Sequence, residues 1–155
     1  GTYSTKRLPP EKIIEVCNGI DFPFVLLGGK NELEEAQKVI DETGENVINL
    51  TGQITLNQSS SIVKDAKLVL TNDTGLMHIA AAFKKKILSF WGNTIPEFGM
   101  VPYQPDPVSE IMEVADLKCR PCSKLGYKKC PKKHFKCMKN LESSKAVEWI
   151  NKNFS

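Results

Sequence analysis

The sequence predicts an α/β domain in which a Rossmann-like parallel sheet carries helices on both faces. Short, continuously apolar segments alternate along the chain with amphipathic segments of 10–13 residues. Strands that are apolar throughout are typical of parallel sheets buried on both faces, and this alternation is typical of β–α–β units. The chain has 155 residues, of which 41% are hydrophobic and 25% charged, which suits one domain with a substantial core.

The first helix and the first strand are both marked at their ends. Residues 10–20 begin with a proline, which suits a first helical turn, and they place Ile13, Ile14 and Cys17 on one face. Residues 22–27, FPFVLL, are apolar throughout and are followed by a Gly-Gly pair, as expected for a strand that ends in a turn. Cys17 is therefore interpreted as a small buried hydrophobic residue.

The second helix, residues 31–43, carries an apolar stripe, with Asn31 as its expected N-cap and Gly44 as its stop. The remaining predicted elements are strand 46–50, helix 56–66, strand 67–71, helix 74–83, strand Lys86–Trp91, strand 108–114 and helix 143–154. We expect a single domain over residues 1–155, with a Cys-rich basic segment, residues 118–139, inserted before the last helix.

The charge of the chain is unevenly distributed. Nine of its 21 Lys and Arg residues lie in the basic segment, which contains no acid, so the rest of the chain carries about −6 although the net charge is +3. A solvated basic loop is one interpretation. Attraction to anionic lipid and to a phosphorylated glycolipid at a membrane face is the one we prefer. A nucleic-acid module is the least favoured, although Tyr127, His134 and Phe135 interleave with the lysines.

The basic segment contains four cysteines in a stretch of 19 residues, in the order Cys119-x2-Cys122-x7-Cys130-x6-Cys137. The first pair has the spacing of one side of a tetrahedral zinc site, and His134 could replace one thiol. A structural zinc site is the preferred prediction, with free thiols or disulfides as the alternatives. The amino terminus has no apolar segment of the signal-peptide kind, and no stretch is long and apolar enough to span a bilayer, so we expect a soluble, cytoplasmic protein.

In parallel α/β sheets, ligands bind beyond the carboxyl ends of the strands. Among the segments that arrive there, residues 71–78 are the most informative, because a strand runs into Asp73 and a helix begins near Thr74. The free amides and the dipole of that helix favour an anion, Gly75 allows close approach, and His78 projects one turn further on. A diphosphate fits these features if Asp73 caps the helix or accepts hydrogen bonds from ligand hydroxyls. The alternative is that Asp73 is only a cap and His78 a satisfied, partly buried histidine.

Residues 72–82, NDTGLMHIAAA, are followed by a strand and by the sequence WGNT at residues 91–94. This pattern closely resembles the signature of family 9 glycosyltransferases, which include the heptosyltransferases of lipopolysaccharide core synthesis. Residues 5–9, TKRLP, resemble the family's Lys-Arg-Trp-Pro turn with leucine in place of tryptophan, and residues 28–32, GGKNE, resemble its glycine-rich turn. The resemblance covers nearly the whole chain but only the carboxyl-terminal half of a family member.

The resemblance implies one half of a GT-B fold, in which two Rossmann-like domains face each other across a cleft. It implies that Lys6 contacts the donor diphosphate and that Glu32 binds the ribose hydroxyls. It further implies that the rest of the donor site comprises Asp73, Thr74, Gly75, His78 and Thr94. No cofactor is expected for catalysis, because the sequence has no Asp-x-Asp pair for a divalent metal. The general base is expected in the amino-terminal domain.

The predicted function is therefore the donor-binding half of an inverting glycosyltransferase that uses a nucleoside-diphosphate sugar, with ADP-heptose favoured. By itself the chain is expected to be inactive. Its acceptor, of the lipopolysaccharide type, would be bound by the other domain, and the protein would contact the inner membrane face peripherally. The alternatives are another donor in the same family, a non-catalytic nucleotide- or phosphoglycolipid-binding domain, and the nucleic-acid module.

One expectation concerns how the sheet closes. In the family a central strand precedes the Lys-Arg turn, and here the sequence given begins at Gly1. Residues 1–7 are too short and polar to replace that strand well. We therefore expect strands 22–27 and 67–71 to pair directly, because unpaired buried backbone groups are costly, and this pairing would move Lys6 from its family position. The alternatives are that another segment or a second copy of the chain fills the gap.

Overall fold

The computed structural model describes residues 2–154 as an α/β fold in which every strand pairing is parallel. The strands are β1 (Phe24–Leu26), β2 (Val47–Asn49), β3 (Leu68–Asn72), β4 (Lys86–Trp91) and β5 (Glu110–Glu113). The helices are α1 (Pro10–Asn18), α2 (Leu33–Glu42), α3 (Leu56–Asp65), α4 (Gly75–Ala82), α5 (Lys136–Lys139) and α6 (Ser143–Asn153). The predicted fold class, with its order of strands and helices, is confirmed.

The strands form two sheets. β1 pairs with β2, and β3, β4 and β5 form the second sheet in that order. Within residues 2–154, β1 and β3 are not hydrogen-bonded neighbours, so the predicted direct pairing of these two segments is wrong. Residues Ser4–Lys6 form a single 3₁₀ turn and add no strand between them, while Gly1 lies outside the described residues.

Side chains span the space between β1 and β3. Just before the two strands, the Phe154 ring stacks on Phe22 with 3.5 Å between ring centroids, and the Lys67 Nζ lies 4.8 Å from the Phe154 centroid. The two sheets also share a core, since Phe24 of β1 and Leu68 and Leu70 of β3 pack against the same buried cluster. Within the described residues, the two sheets are therefore joined by side-chain packing and not by a backbone ladder between β1 and β3.

Two buried clusters lie on opposite faces of β4. Leu88 and Phe90 belong to a cluster formed with residues of α1 and α6. Ile87 belongs to a second cluster, formed with residues of α3 and α4. Because successive side chains of a strand point to opposite faces, this division shows that helices cover both sides of the sheet.

Several local boundaries differ from the sequence predictions. The segment predicted as helix 31–43 begins as a 3₁₀ turn, Lys30–Glu32, and α2 starts only at Leu33. Asn31 is not its N-cap; the Glu32 carboxylate instead accepts a hydrogen bond from the Gly29 amide at 2.6 Å. The short helix α5 inside the basic segment was not predicted. Over residues 2–154, no helix is both long enough and apolar enough to cross a bilayer.

Candidate functional site

An ion pair joins the amino-terminal turn to the end of β3. The Lys6 ammonium donates to the Asp73 carboxylate, and the two side chains are only 14% and 7% exposed. Two residues further on, the backbone amide of Leu8 donates to the Asn72 side-chain oxygen at 3.0 Å. Lys6 is therefore held beside the segment that the sequence singled out, although β1 and β3 do not pair.

The neighbouring residue Arg7 makes the equivalent connection to the turn after β1. Its guanidinium lies 3.2 Å from both carboxylate oxygens of Glu35 and 3.6 Å from the Glu32 carboxylate. Two adjacent cations thus reach the loops that follow strands of two different sheets. Sequence reasoning did not include Arg7 in the site; its position directly after Lys6 in a turn was the signal available.

The amino-terminal end of α4 is open. Thr74 is the N-cap residue in an extended conformation, and its hydroxyl lies 3.3 Å from the Thr71 hydroxyl instead of capping the helix. A Cβ atom built on Gly75 would have no atom within 4 Å. The Met77 amide already donates to the Thr74 carbonyl at 3.1 Å, but the amides before it begin the helix without an intrahelical partner, so this end can receive an anion beside Lys6.

Two interpretations of this segment are corrected by the structure. Asp73 does not cap α4, since the N-cap is Thr74 and the Asp73 carboxylate is bound to Lys6. His78 is exposed, and none of the described residues hydrogen-bonds to its ring, so it is not a satisfied, partly buried histidine. Its imidazole is available to a ligand one turn beyond the open end of α4.

The turn after β4 is buried. Thr94 and Asn93 are each 1% exposed, so the structure does not bring the Thr94 side chain to the surface beside His78. Arg120 of the basic segment donates to the carbonyl oxygens of Gly92 and Thr94, and the Cys122 amide donates to the Asn93 carbonyl at 3.1 Å. This turn therefore fastens the basic segment to the sheet, and a donor-binding role for Thr94 stays a prediction.

The clustered thiols share one neighbourhood. All five cysteines of the chain are free thiols, and the Cys119 sulfur lies 3.8 Å from the His134 Nε2. The pKa of Cys137 is raised to about 11, chiefly by burial and then by the charges of Cys122 and Cys130. Burial, followed by the charges of Cys119 and Cys130, likewise raises the pKa of Cys122.

Charge effects of this kind act over several ångströms, whereas a zinc site requires all four sulfurs to lie about 2.3 Å from one ion. Within residues 2–154, no three or more His, Cys, Asp or Glu side chains are arranged to hold a metal ion. The structural zinc site, with Cys119, Cys122, Cys130 and Cys137 as its ligands, stays a prediction.

Comparison with known proteins decides the family. Residues 2–135 match the sequence model described as "Glycosyltransferase family 9 (heptosyltransferase)". The chain belongs to glycosyltransferase family 9. This family 9 chain is 33% identical over 127 residues to the lipooligosaccharide heptosyltransferase 2 of Campylobacter jejuni serotype O:6, an alignment that covers 80% of this chain and 38% of the relative. It is 38% identical over 100 residues to the lipopolysaccharide heptosyltransferase 2 of Escherichia coli K12, covering 60% of this chain and 29% of the relative.

Solved structures share the fold. A family 9 glycosyltransferase from Veillonella parvula matches 99% of the chain with a TM-score of 0.80 at 22% identity. The E. coli ADP-heptose lipopolysaccharide heptosyltransferase II matches 98% of the chain with a TM-score of 0.77 at 20% identity. In both cases the family 9 chain covers 43% of the solved structure, so it spans less than half the length of its relatives. The fold is accordingly that of part of a GT-B heptosyltransferase.

Proposed function

We propose that this family 9 chain is the donor-binding half of an inverting glycosyltransferase that uses a nucleoside-diphosphate sugar, with ADP-heptose favoured. The observation that carries the proposal is the buried Lys6–Asp73 pair beside the open amino-terminal end of α4. A cation and free helix amides on one side of an accessible glycine form a site for a diphosphate. One of the solved relatives with this fold is the E. coli heptosyltransferase WaaC with ADP, at a TM-score of 0.67.

The chemistry of transfer requires such groups. Cleavage of the sugar–phosphate bond leaves a nucleoside diphosphate on which negative charge grows, and donors that already point at this charge lower the barrier. Lys6 and the first amides of α4 supply these donors. Asp73, released in part from Lys6 when the diphosphate binds, can accept hydrogen bonds from hydroxyl groups of the sugar.

Glu32 is suited to the ribose. Its carboxylate is oriented by the Gly29 amide at 2.6 Å and by Arg7. A carboxylate has about four acceptor positions and can accept hydrogen bonds from two vicinal hydroxyl groups. His78, which is exposed on α4, is placed in the proposal as a contact to the diphosphate or the sugar.

In the complete transferase, the acceptor site and the general base are proposed to lie in the other domain of the family fold, which this chain does not span. The acceptor would be of the lipopolysaccharide type, and the protein would act in the cytoplasm with its basic segment towards the inner membrane face. A non-catalytic nucleotide-binding domain is the alternative that predicts donor binding without transfer in any longer form of the protein.

Calorimetric titration of the chain with ADP, UDP and GDP tests the donor site. We expect weak binding with ADP preferred, and no sugar transfer by the chain alone. His78→Ala should lower the affinity for ADP and leave the melting temperature unchanged, while Asn57→Ala, an exposed change on α3, should alter neither. A folded chain that binds none of the three nucleotides would remove the donor-site assignment, and transfer by the chain alone would show that the base is misplaced.

A further inference from the structure

A second cavity lies where the amino-terminal 3₁₀ turn meets the basic segment. Its volume is about 370 Å³, and it is separate from the open end of α4. The residues of its wall that matter here are two hydroxyl residues and four lysines: Ser4, Thr5, Lys128, Lys129, Lys133 and Lys139.

The wall is held by hydrogen bonds between segments that are far apart in the chain. The Thr5 hydroxyl donates to the Tyr127 carbonyl at 3.0 Å and accepts from the Tyr127 amide at 2.8 Å, while the Thr5 amide also donates to the Tyr127 carbonyl. Gly126 packs so closely on Tyr3 that an added Cβ would lie 2.7 Å from the Tyr3 Cβ. Backbone contacts therefore fix the edge of the cavity at Thr5, Gly126 and Tyr127.

The lysines are fixed to different degrees. Lys139 ends α5, whose Cys137 and Met138 are buried in the main core cluster. Lys133 is the last residue of a turn that begins at Cys130, and its amide donates to the Cys130 carbonyl at 3.0 Å. The stems of these two lysines are consequently anchored at defined positions, while their ammonium groups remain exposed.

The charge of this cavity is uncompensated. Among the ion pairs of residues 2–154, none involves Lys128, Lys129, Lys133 or Lys139, and no acid lies in the basic segment. Ammonium groups that converge without a counter-charge repel one another, and an anion with several acceptor oxygens relieves that repulsion. The Ser4 hydroxyl, which hydrogen-bonds to no residue between 2 and 154, adds a neutral donor, and Phe135 adds an apolar wall.

We propose that this cavity is a binding site for a phosphate group, carried by a small soluble phosphoester or by a lipid headgroup. Its volume lies within the range of about 300–1,000 Å³ that is typical of small-molecule sites. The proposal goes beyond the donor site, because it uses none of the residues assigned to the nucleotide. It gives the basic segment one defined site in place of diffuse attraction to anions.

Backbone-amide NMR during titration with inorganic phosphate, at constant ionic strength, tests the proposal. We expect shifts at Ser4, Lys133 and Lys139. Lys133→Gln combined with Lys128→Gln should weaken phosphate binding at least tenfold. The matched control, Lys124→Gln combined with Lys132→Gln, removes the same charge from the same segment outside the cavity and should change binding less than twofold.

The same variants distinguish the source of the phosphate and the failure of either proposal. Flotation with phosphatidic acid–phosphatidylcholine vesicles, compared with phosphatidylcholine alone, shows whether a lipid headgroup enters the cavity; binding of free phosphate without vesicle binding identifies a soluble phosphoester. Equal losses in the two double variants would overturn the site, as would shifts confined to residues 74–78. The ADP titration stands independently, because none of these lysines belongs to the donor site.

Discussion

Lys6 and Arg7 are adjacent in the chain, and each neutralises a carboxylate at a different turn. An exposed ion pair contributes little to stability, because water solvates both charges and side-chain entropy opposes their pairing. The Lys6–Asp73 pair differs, since its two side chains are largely buried, and removing one partner leaves the other charge poorly solvated.

A double-mutant cycle measures this difference. Lys6→Gln should lower the free energy of unfolding by about 2 kcal/mol, and Asp73→Asn should then add little, which gives a coupling energy of about 1–2 kcal/mol. The exposed Lys38–Glu34 pair of α2 is the control, for which we expect a coupling of at most about 0.5 kcal/mol. Urea denaturation of the single and double variants provides the values, and equal coupling in the two pairs would contradict the assignment of a buried pair.

At this scale the sequence predicted which residues lie near one another better than it predicted their partners. The run of Asp73, Thr74, Gly75 and His78 is local, so a strand that leads into a helix was enough to place it at the sheet edge. The pairing of Lys6 with Asp73 spans 67 residues and was not predicted; the family resemblance implied only that both residues belong to the donor site. The role of Asp73 as a cap was wrong because Thr74 starts the helix and the carboxylate had a stronger partner in Lys6.

Two glycines, one after a strand and one at the start of a helix, differ in the space around them. Gly92, directly after β4, lies against Met138 of α5: an added Cβ would be 2.7 Å from the Met138 Cγ. Gly75, at the start of α4, faces open space. The two glycines thus serve different purposes, one in packing and one in access.

Exchanging each glycine for alanine separates these purposes. Gly92→Ala should lower the free energy of unfolding by about 1–3 kcal/mol, because the close approach of β4 and α5 must relax. Gly75→Ala should leave stability unchanged or slightly higher, since alanine favours a helix, but its methyl group should weaken ADP binding. Urea denaturation and calorimetric titration of both variants supply the measurements. A Gly75→Ala chain that binds ADP as tightly as the original would exclude close approach of the ligand at this position.

The elements themselves were predictable because their signals are local. Apolar segments, continuous only in some cases, placed the five strands of residues 2–154, and helical periodicity placed the longer helices, within a few residues of their observed bounds. The short helix α5 gave no such signal, since four residues are too few for a periodic pattern. The 3₁₀ start of the second helix was missed because Glu32 bonds back to Gly29, a contact that periodicity does not encode.

For the molecule as a whole, the sequence predicted the fold class but not the division into two sheets. Which strands become neighbours depends on contacts between distant segments, here the packing of Phe154 against Phe22 and of both sheets on one core. The conformation of the basic segment likewise could not be predicted from local sequence. Residues 118–135 form neither helix nor strand, and a segment of this length usually needs a further constraint, such as a metal or a ligand, besides apolar packing.

The zinc prediction can be decided by metal analysis of the whole chain. Protein purified without chelators should contain about one zinc per chain, held by four thiolates, as in structural sites of this ligand type. Cys130→Ser should lose the metal and lower the melting temperature. Cys17→Ser should retain the metal, because Cys17 is a buried thiol outside the cluster, and burial raises its pKa to about 11. Folded protein without metal, in which all four clustered thiols react with a thiol reagent, would contradict the prediction.

The position of Lys6 and Arg7 between two sheets has a consequence for energetics. Phe154 packs at one end of the space between β1 and β3, and these two cations form ion pairs with the turns at the other end. A nucleotide that contacts Lys6 and Glu32 at once would therefore connect the two sheets at that end. Its binding free energy would then also stabilise the folded domain against unfolding. By reciprocity, a substitution that loosens the packing around Phe154 should then weaken nucleotide binding at the opposite end of the strands.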